Sequence, residues 1–260
     1  MSKLKTPITY YGGKQTMLIH ILPLIPEHNS YTEAFAGGLA VLFAKEPSSL
    51  ETVNDLNGEL INFYKVCQTK FDELAMELHC TLHSRTMHEY AEFVYMHPWH
   101  FTEVERAKAL WILSKMSFAS KLDGSFGYDK TKNSMPKKID FAIQNFDDKI
   151  YERLRRVTIE CTDALRIIKS RDTKETFHFV DPPYIGSYLG HYKGYTEYDF
   201  EQLLKLLTQI EGKFMLTMFP HKLLTEYIEK HNWRVVEVER TISASRVNRR
   251  KQIELIVMNY

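Results

Sequence analysis

Cysteine is scarce in this sequence. Cys67, Cys80 and Cys161 are the three present in 260 residues, an odd number, widely spaced and without a Cys-x-x-Cys pair. That pattern argues against a disulfide framework and a cysteine zinc site, and fits a reducing compartment. Long apolar runs are missing as well, so no segment reaches the length needed to span a bilayer. The opening stretch MSKLKTPITYYGGKQ has no apolar leader core, so a cytoplasmic protein with no membrane partner is expected. A charge excess is also absent: the formal net charge is +1, and no global field attracts a polyanion. The phosphate loop GxxxxGK[ST] does not occur, GGK at 12–14 having only its final residues. MHPWH offers His97 and His100 without acidic partners at ligand spacing, so no metal is expected. There are no repeats and no low-complexity tract.

What is present is a globular composition, 44% hydrophobic and 26% charged, with charge gathered locally. Arg106 to Lys138 holds eight Lys or Arg against two Asp, and Arg240 to Lys251 holds five basic residues and no acid. Each stretch is either a solvated face or a surface for phosphates.

Along the chain, SYTEAFAGGLAVLFAKE reads as a short strand over Tyr31–Phe35, a tight turn at Gly37 and Gly38, and a helix. A second strand ends at Asp55, followed by a helix carrying Leu60, Ile61, Phe63, Tyr64 and Val66. An acid closing a strand 17 positions after Gly38 recurs in folds that hold a ribose, because a carboxylate accepts from both hydroxyls. Helical stretches at FDELAMELHCTLH and TEVERAKALWILSKMSF border KLDGSFGYDKTKNSMPKK, which has no periodicity and reads as a loop or hairpin. Strand-like runs resume at 157–162, FHFV, 213–219, 234–239 and 253–260, alternating with helices such as EYDFEQLLKLLTQI. The alternation predicts a doubly wound α/β sheet. Asp181 follows Gly38 by 143 positions, well beyond what four strands and three crossovers need, so a mostly helical insertion interrupts the core.

FHFVDPPY, at 177–184, places a stiff loop after a strand suited to the sheet centre. Pro182 and Pro183 carry no N–H and fix φ, and Asp181 is pushed to an extended conformation. The loop is either a plain terminator or a rigid display of a carboxylate, carbonyls and an aromatic ring. Glu33, inside an apolar strand, calls for a backbone N–H or a ligand ammonium, since an unpaired buried carboxylate is costly.

With DPPY, FAGG, Asp55 and the insertion together, the chain resembles the Dam-type (alpha-group, D12 class) DNA N6-adenine methyltransferases over nearly its whole length. The resemblance implies a Rossmann-like class I S-adenosylmethionine-dependent core at 1–66 and 155–260 and a helical target-recognition insertion at 67–154. TYYGGKQTML resembles the motif at the cofactor's methionine part, with Tyr10 and Lys14 the candidate contacts. FAGG, with Phe35, Gly37 and Gly38, resembles the cofactor glycine turn. NDLN matches the ribose acid at Asp55, and CTDAL the segment whose Asp163 meets the cofactor's adenine. Phe35, Tyr10 and Tyr11 also suit core positions, and Asp163 also suits a helix cap.

Asp181, Pro182, Pro183 and Tyr184 match the catalytic loop, with Asp181 also beside the cofactor. The chemistry agrees with the resemblance. An exocyclic purine amine is a poor nucleophile because its lone pair is delocalised into the ring. Acceptance of one N–H by Asp181 and the other by the Pro182 carbonyl would localise that pair, and the prolines would hold the carbonyl in direction. Tyr184 offers a stacking face to a base rotated out of the duplex. The implied product is S-adenosylhomocysteine; the implied partner is double-stranded DNA, with a cognate restriction endonuclease compatible, in a bacterial or phage enzyme whose oligomeric state the sequence leaves open, a monomer being favoured.

One departure limits the carry-over. GATC-specific members have a characteristic arginine in the recognition hairpin, and SFASKLDGSFGYDKTKN contains none. Lys121, Lys130 and Lys132 remain candidates for phosphate, Ser120, Ser125 and Asn133 for base edges, and Arg246, Arg249, Arg250 and Lys251 for further phosphates. An RNA adenine methyltransferase and a catalytically silent DNA-binding module are the alternative readings; Asp181, in place of a Ser, argues against cytosine N4 transfer.

Overall fold

The computed structural model describes residues 4–185, 194–242 and 250–260, the side chains of Thr241, Ile242 and Arg250 excepted. Its strands are β1 (Ser30–Glu33), β2 (Leu50–Asn54), β3 (Thr158–Glu160), β4 (Thr176–Val180), β5 (Lys213–Met218), β6 (Arg234–Ile242) and β7 (Arg250–Met258). They form a seven-stranded sheet in the order β3-β2-β1-β4-β5-β7-β6. β1 runs parallel to β2 and β4, and β4 to β5, while β7 is antiparallel to both β5 and β6. The order reverses between β1 and β4, which is the doubly wound arrangement expected from the alternation and the Rossmann-like core that the resemblance implies. Ligands of such sheets bind beyond the carboxyl ends of the strands at that reversal.

The chain separates into two compact units, Met1–Leu18 with Gly37–Pro47 and Asp55–Cys161, and Ile19–Ala36 with Ser48–Asn54 and Thr162–Tyr260. A short α1 (Leu18–Ile21) precedes β1. The first unit holds α2 (Ala40–Ala44), α3 (Gly58–Thr69), α4 (Phe71–His79), α5 (Arg85–Met96), α6 (Glu103–Met116), α7 (Ser134–Gln144) and α8 (Lys149–Leu154). α6 is its axis. Ala109 to Ser114 are all buried, so this helix is enclosed on every side, with α3, α4, α5 and α7 packed against it. Its start is set by a capping box in which the Thr102 hydroxyl accepts from Glu105 N and the Glu105 carboxylate accepts from Thr102 N.

Two features differ from the sequence reading. The segment expected as a loop or hairpin makes one antiparallel bridge, Ser117 with Phe126, and then enters α7 at Ser134. The reason is a side chain: Asp129 Oδ2 accepts from Ser134 N at 3.0 Å, Ser134 Oγ at 2.6 Å and Met135 N at 2.9 Å, capping the helix from five residues upstream. α5 was not anticipated, because its buried positions are His88, Ala91 and Val94, a weak apolar signal.

The second unit contains β1, β2, β4 to β7, α9 (Ala164–Arg171), α10 (Glu197–Leu207) and α11 (Lys222–His231). Ile167 and Ile168 of α9, Leu203, Leu204 and Leu207 of α10, and Leu224 of α11 share a core with Phe214, Leu216 and Val257 of the sheet. Each such side chain stabilises the fold by about 1.5–3 kcal/mol on burial. β4 is buried at every position. Its one ionisable residue, His178, has Nε2 3.3 Å from Asp172 Oδ1 and Nδ1 2.7 Å from the Thr32 hydroxyl. A carboxylate only accepts, so Nε2 carries the proton and Nδ1 accepts from Thr32. Burial holds the imidazole below its ordinary pKa against the opposing pull of Asp172.

Candidate active site

In the second unit the sheet register brings the sequence-predicted residues to one edge. Glu33 pairs with Val53 on one side and Phe179 on the other, and Val180 pairs with Leu216. The chain segments beginning at Ala34 and Asp181 therefore leave the sheet side by side at its carboxyl end, next to Asn54, the last residue of β2. Asp181 Oδ1 accepts from the Thr217 hydroxyl at 2.7 Å, so the carboxylate is held against the neighbouring strand. Pro182 is buried, and Tyr184, half-buried, sends its hydroxyl 2.7 Å to Glu254 Oε1 of β7 while its ring meets Phe219 edge-on at 4.6 Å. Burial, with the charges of Asp181 and Glu254 after it, raises the Tyr184 pKa well above the usual phenol range, so the hydroxyl keeps its proton and is the donor.

Glu33 is 2% exposed and accepts from the Tyr31 hydroxyl at 2.6 Å, two residues back on the same strand face. The Tyr31 hydroxyl is thus one partner of this buried carboxylate. Asn54 ties three segments: its amide donates to Ala34 O at 3.0 Å and Thr162 O at 2.9 Å, its side-chain oxygen accepts from Thr162 N at 2.9 Å, and its own carbonyl accepts from Ala36 N. Asp163 is an exposed cap, accepting from Arg166 N at 3.0 Å. Phe35 meets the Tyr195 ring edge-on, and the Tyr195 hydroxyl is buried with no partner among the described residues.

In the first unit the glycine turn is fitted to an aromatic ring. Gly37 has φ +45°, a conformation that side chains resist, and Cβ atoms at Gly37 and Gly38 would meet Tyr10 at 3.4 and 3.3 Å. Tyr10 is buried, and the Tyr64 hydroxyl donates to Gly37 O at 2.8 Å. Asp55, 2% exposed, accepts from Gly37 N at 3.0 Å through Oδ2 and from Asn57 N at 2.9 Å through Oδ1. Lys14 is 4% exposed and donates to Gly12 O at 3.0 Å.

Of the nucleic-acid candidates, Ser125, Lys130, Lys132 and Asn133 are exposed, and the half-buried Lys121 lies with its ammonium 5.3 Å from the Tyr11 ring centre. Lys251 pairs with Glu239 at 2.8 Å across β6 and β7. Arg246 and Arg249 lie outside the described residues, as does the side chain of Arg250, which opens β7. Sequence reasoning missed Asn54, Thr217 and Glu254. For Glu254 a signal existed: it is a lone acid inside the apolar run IELIVM, the feature that singled out Glu33.

A mixed sheet whose parallel strands reverse their order at β1 and β4, with an Asp-Pro-Pro-Tyr loop beyond β4, defines a Rossmann-like methyltransferase. The D12 class N6 adenine-specific DNA methyltransferase profile matches residues 10–242, and the chain belongs to that family. It is similar to the type II methyltransferase M1.LlaDCHI of Lactococcus lactis subsp. cremoris, at 29% identity over 96% of this chain and 93% of that protein. It is also similar to the modification methylase LlaI of Lactococcus lactis subsp. lactis, at 25% identity over 98% of this chain. The DNA N-6-adenine-methyltransferase of Escherichia phage P1 is 28% identical over 76% of this chain. The chain spans 43% of the LlaI protein and 27% of the phage protein.

Proposed function

We propose that this DNA adenine methyltransferase acts at a specific duplex sequence, using S-adenosylmethionine to methylate the N6 amine of an adenine rotated out of the helix. The observation that carries the reading is Asp181, displayed at the sheet reversal with Oδ1 fixed by Thr217. A freely rotating carboxylate would lose much of its effect, because only an acceptor already in place stabilises the transition state without reorganising.

The residues fit an adenosyl cofactor by their chemistry. The glycine turn packs closely on Tyr10, as the cofactor turn of this fold class would need, Asp55 is an acceptor for ribose hydroxyls, and Phe35 offers an aromatic face to a purine. In the same unit as Phe35, the Tyr195 hydroxyl, which has no partner among the described residues, adds a donor. Tyr10, Lys14, Glu33, Asp163 and Asp181 complete the assigned set. When bound, the cofactor supplies an electrophilic methyl group on sulfur. Asp181 accepts one N–H of the target amine and Pro182 O the other, which concentrates the lone pair on nitrogen. Pro183 stiffens the loop, and Tyr184 stacks on the base.

Residues 67–154 read the target, with Lys121, Lys130 and Lys132 on phosphates and Ser125 and Asn133 at base edges; Arg246, Arg249 and Arg250 add phosphate contacts. The relatives named as type II or modification methyltransferases support a role beside a restriction endonuclease. The test is transfer of tritiated methyl from S-adenosylmethionine to unmethylated duplex DNA, followed by nucleoside chromatography. Label in N6-methyladenosine's deoxy form is expected; label in N4-methylcytosine, or in RNA alone, would refute the reading.

A further inference from the structure

Beyond the catalytic loop itself, the second unit holds a buried polar chain that the methyl-transfer chemistry does not require. Glu254 of β7 is fully buried, 0% exposed, and both of its oxygens accept hydrogen bonds. Oε1 accepts from the Tyr184 hydroxyl at 2.7 Å, and Oε2 accepts from Arg240 Nη1 at 2.5 Å. β6 and β7 pair Arg240 with Gln252, which makes Arg240 and Glu254 diagonal neighbours on one face of the ladder. The pair is expensive to bury, and an apolar pair of similar volume would hold two strands together at no greater cost.

What Glu254 does that an apolar residue would not is fix a direction. The prolines restrain the backbone from Asp181 to Pro183, but the Tyr184 side chain still has two rotatable bonds. Phe219 bounds its ring on one side, Glu254 holds its far end, and the residue as a whole remains half-buried, so part of its surface is left accessible. Retention of the phenolic proton keeps Tyr184 a donor to Glu254 throughout the working pH range.

We propose that Glu254, anchored by Arg240, is a positioning residue that holds the Tyr184 ring in its stacking orientation for the target base. This rests on the stacking role assigned to Tyr184 above. It also gives the last two strands a part in catalysis, since they orient the loop from behind.

The test separates orientation from stability. With 3-fluorotyrosine at position 184, a single narrow fluorine resonance is expected from the wild type, and Glu254→Leu should broaden or displace it. In methyl transfer to unmethylated phage genomic DNA, Tyr184→Phe should lower kcat about ten- to a hundredfold, the worth of one hydrogen bond to a charged group, with little change in S-adenosylmethionine affinity. Combining Tyr184→Phe with Glu254→Leu should cost no more than the worse single change. If Glu254→Leu does not fold, the paired Arg240→Leu and Glu254→Leu variant, which leaves no unpaired charge, replaces it in both measurements. An unchanged fluorine spectrum, or wild-type kcat in Tyr184→Phe, overturns the proposal. Absence of transfer by the wild type would refute the proposed function instead, and the fluorine spectrum then decides the positioning claim alone.

Discussion

Asp181 and Asp55 are both carboxylates at strand ends, yet their removal should have opposite kinetic signatures. Asp181→Ala should abolish methyl transfer while leaving S-adenosylmethionine binding within about tenfold, because the carboxylate acts chiefly on the amine in the transition state. Near-normal turnover in that variant would contradict the clamp. Asp55→Ala should weaken cofactor binding first, by about 1.5–3 kcal/mol per hydrogen bond lost to a charged acceptor, and calorimetry would show it. Lys115 makes a different prediction. It donates to the Thr9 hydroxyl at 3.2 Å, and burial lowers its pKa to about 8. Below that pH both folded and unfolded chains carry the proton, and folding bears the full cost of burying the charge. Between pH 8 and the unfolded value near 10.4 only the unfolded chain binds the proton, so stability should rise with pH across this window, by at most about 3 kcal/mol. Lys115→Met should stabilise the protein at pH 7 and flatten that rise, as read by urea unfolding at pH 7 and pH 10; an unchanged pH profile would remove Lys115 from the account.

Elements were legible where their own residues specify them. FHFV and IELIVM announce strands by β-branched and aromatic content, and α10 announces itself by Phe200, Leu203, Leu204 and Leu207 at helical spacing, all buried in the fold. Where a distant side chain decides, local reading fails. α7 begins at Ser134 because Asp129 caps it, and α5 shows only His88, Ala91 and Val94 to the core. The turn into β5 is another case of specification from outside. Asp172 accepts from Glu211 N and Gly212 N, and a Cβ at Gly212 would lie 2.7 Å from Thr176 O and 2.8 Å from Thr173 O. Neither carbonyl is the far end of a flexible side chain, so Gly212→Ala should destabilise the fold by roughly 1–3 kcal/mol, measurable as a lower urea midpoint at constant slope.

At the scale of the whole chain, a net charge of +1 means that any hold on DNA comes from local basic stretches. Replacing Arg249 and Arg250 by Ala should weaken binding to all duplexes alike and flatten the log–log salt slope by about two, one unit per lost phosphate contact. Replacing Lys121 or Asn133 should instead change which sequences are methylated, by about 1–3 kcal/mol at a base pair contacted bidentately. Methylation profiling of a randomised duplex pool at two salt concentrations distinguishes the two regions. The Asp-Pro-Pro-Tyr loop at the end of β4 was readable from DPPY, since the backbone effects of proline are local. Thr217 and Glu254 were not, because they reach Asp181 and Tyr184 across strand register from 36 and 70 positions away. The central claim, that Asp181 makes this family member an adenine N6-methyltransferase, is tested most directly by base-resolved sequencing of DNA from a methylation-free host expressing the wild type or Asp181→Ala. The account predicts N6-methyladenine at a recurrent sequence motif with the wild type and none with the variant; methyladenine persisting in the variant, or methyl groups on cytosine, would contradict it.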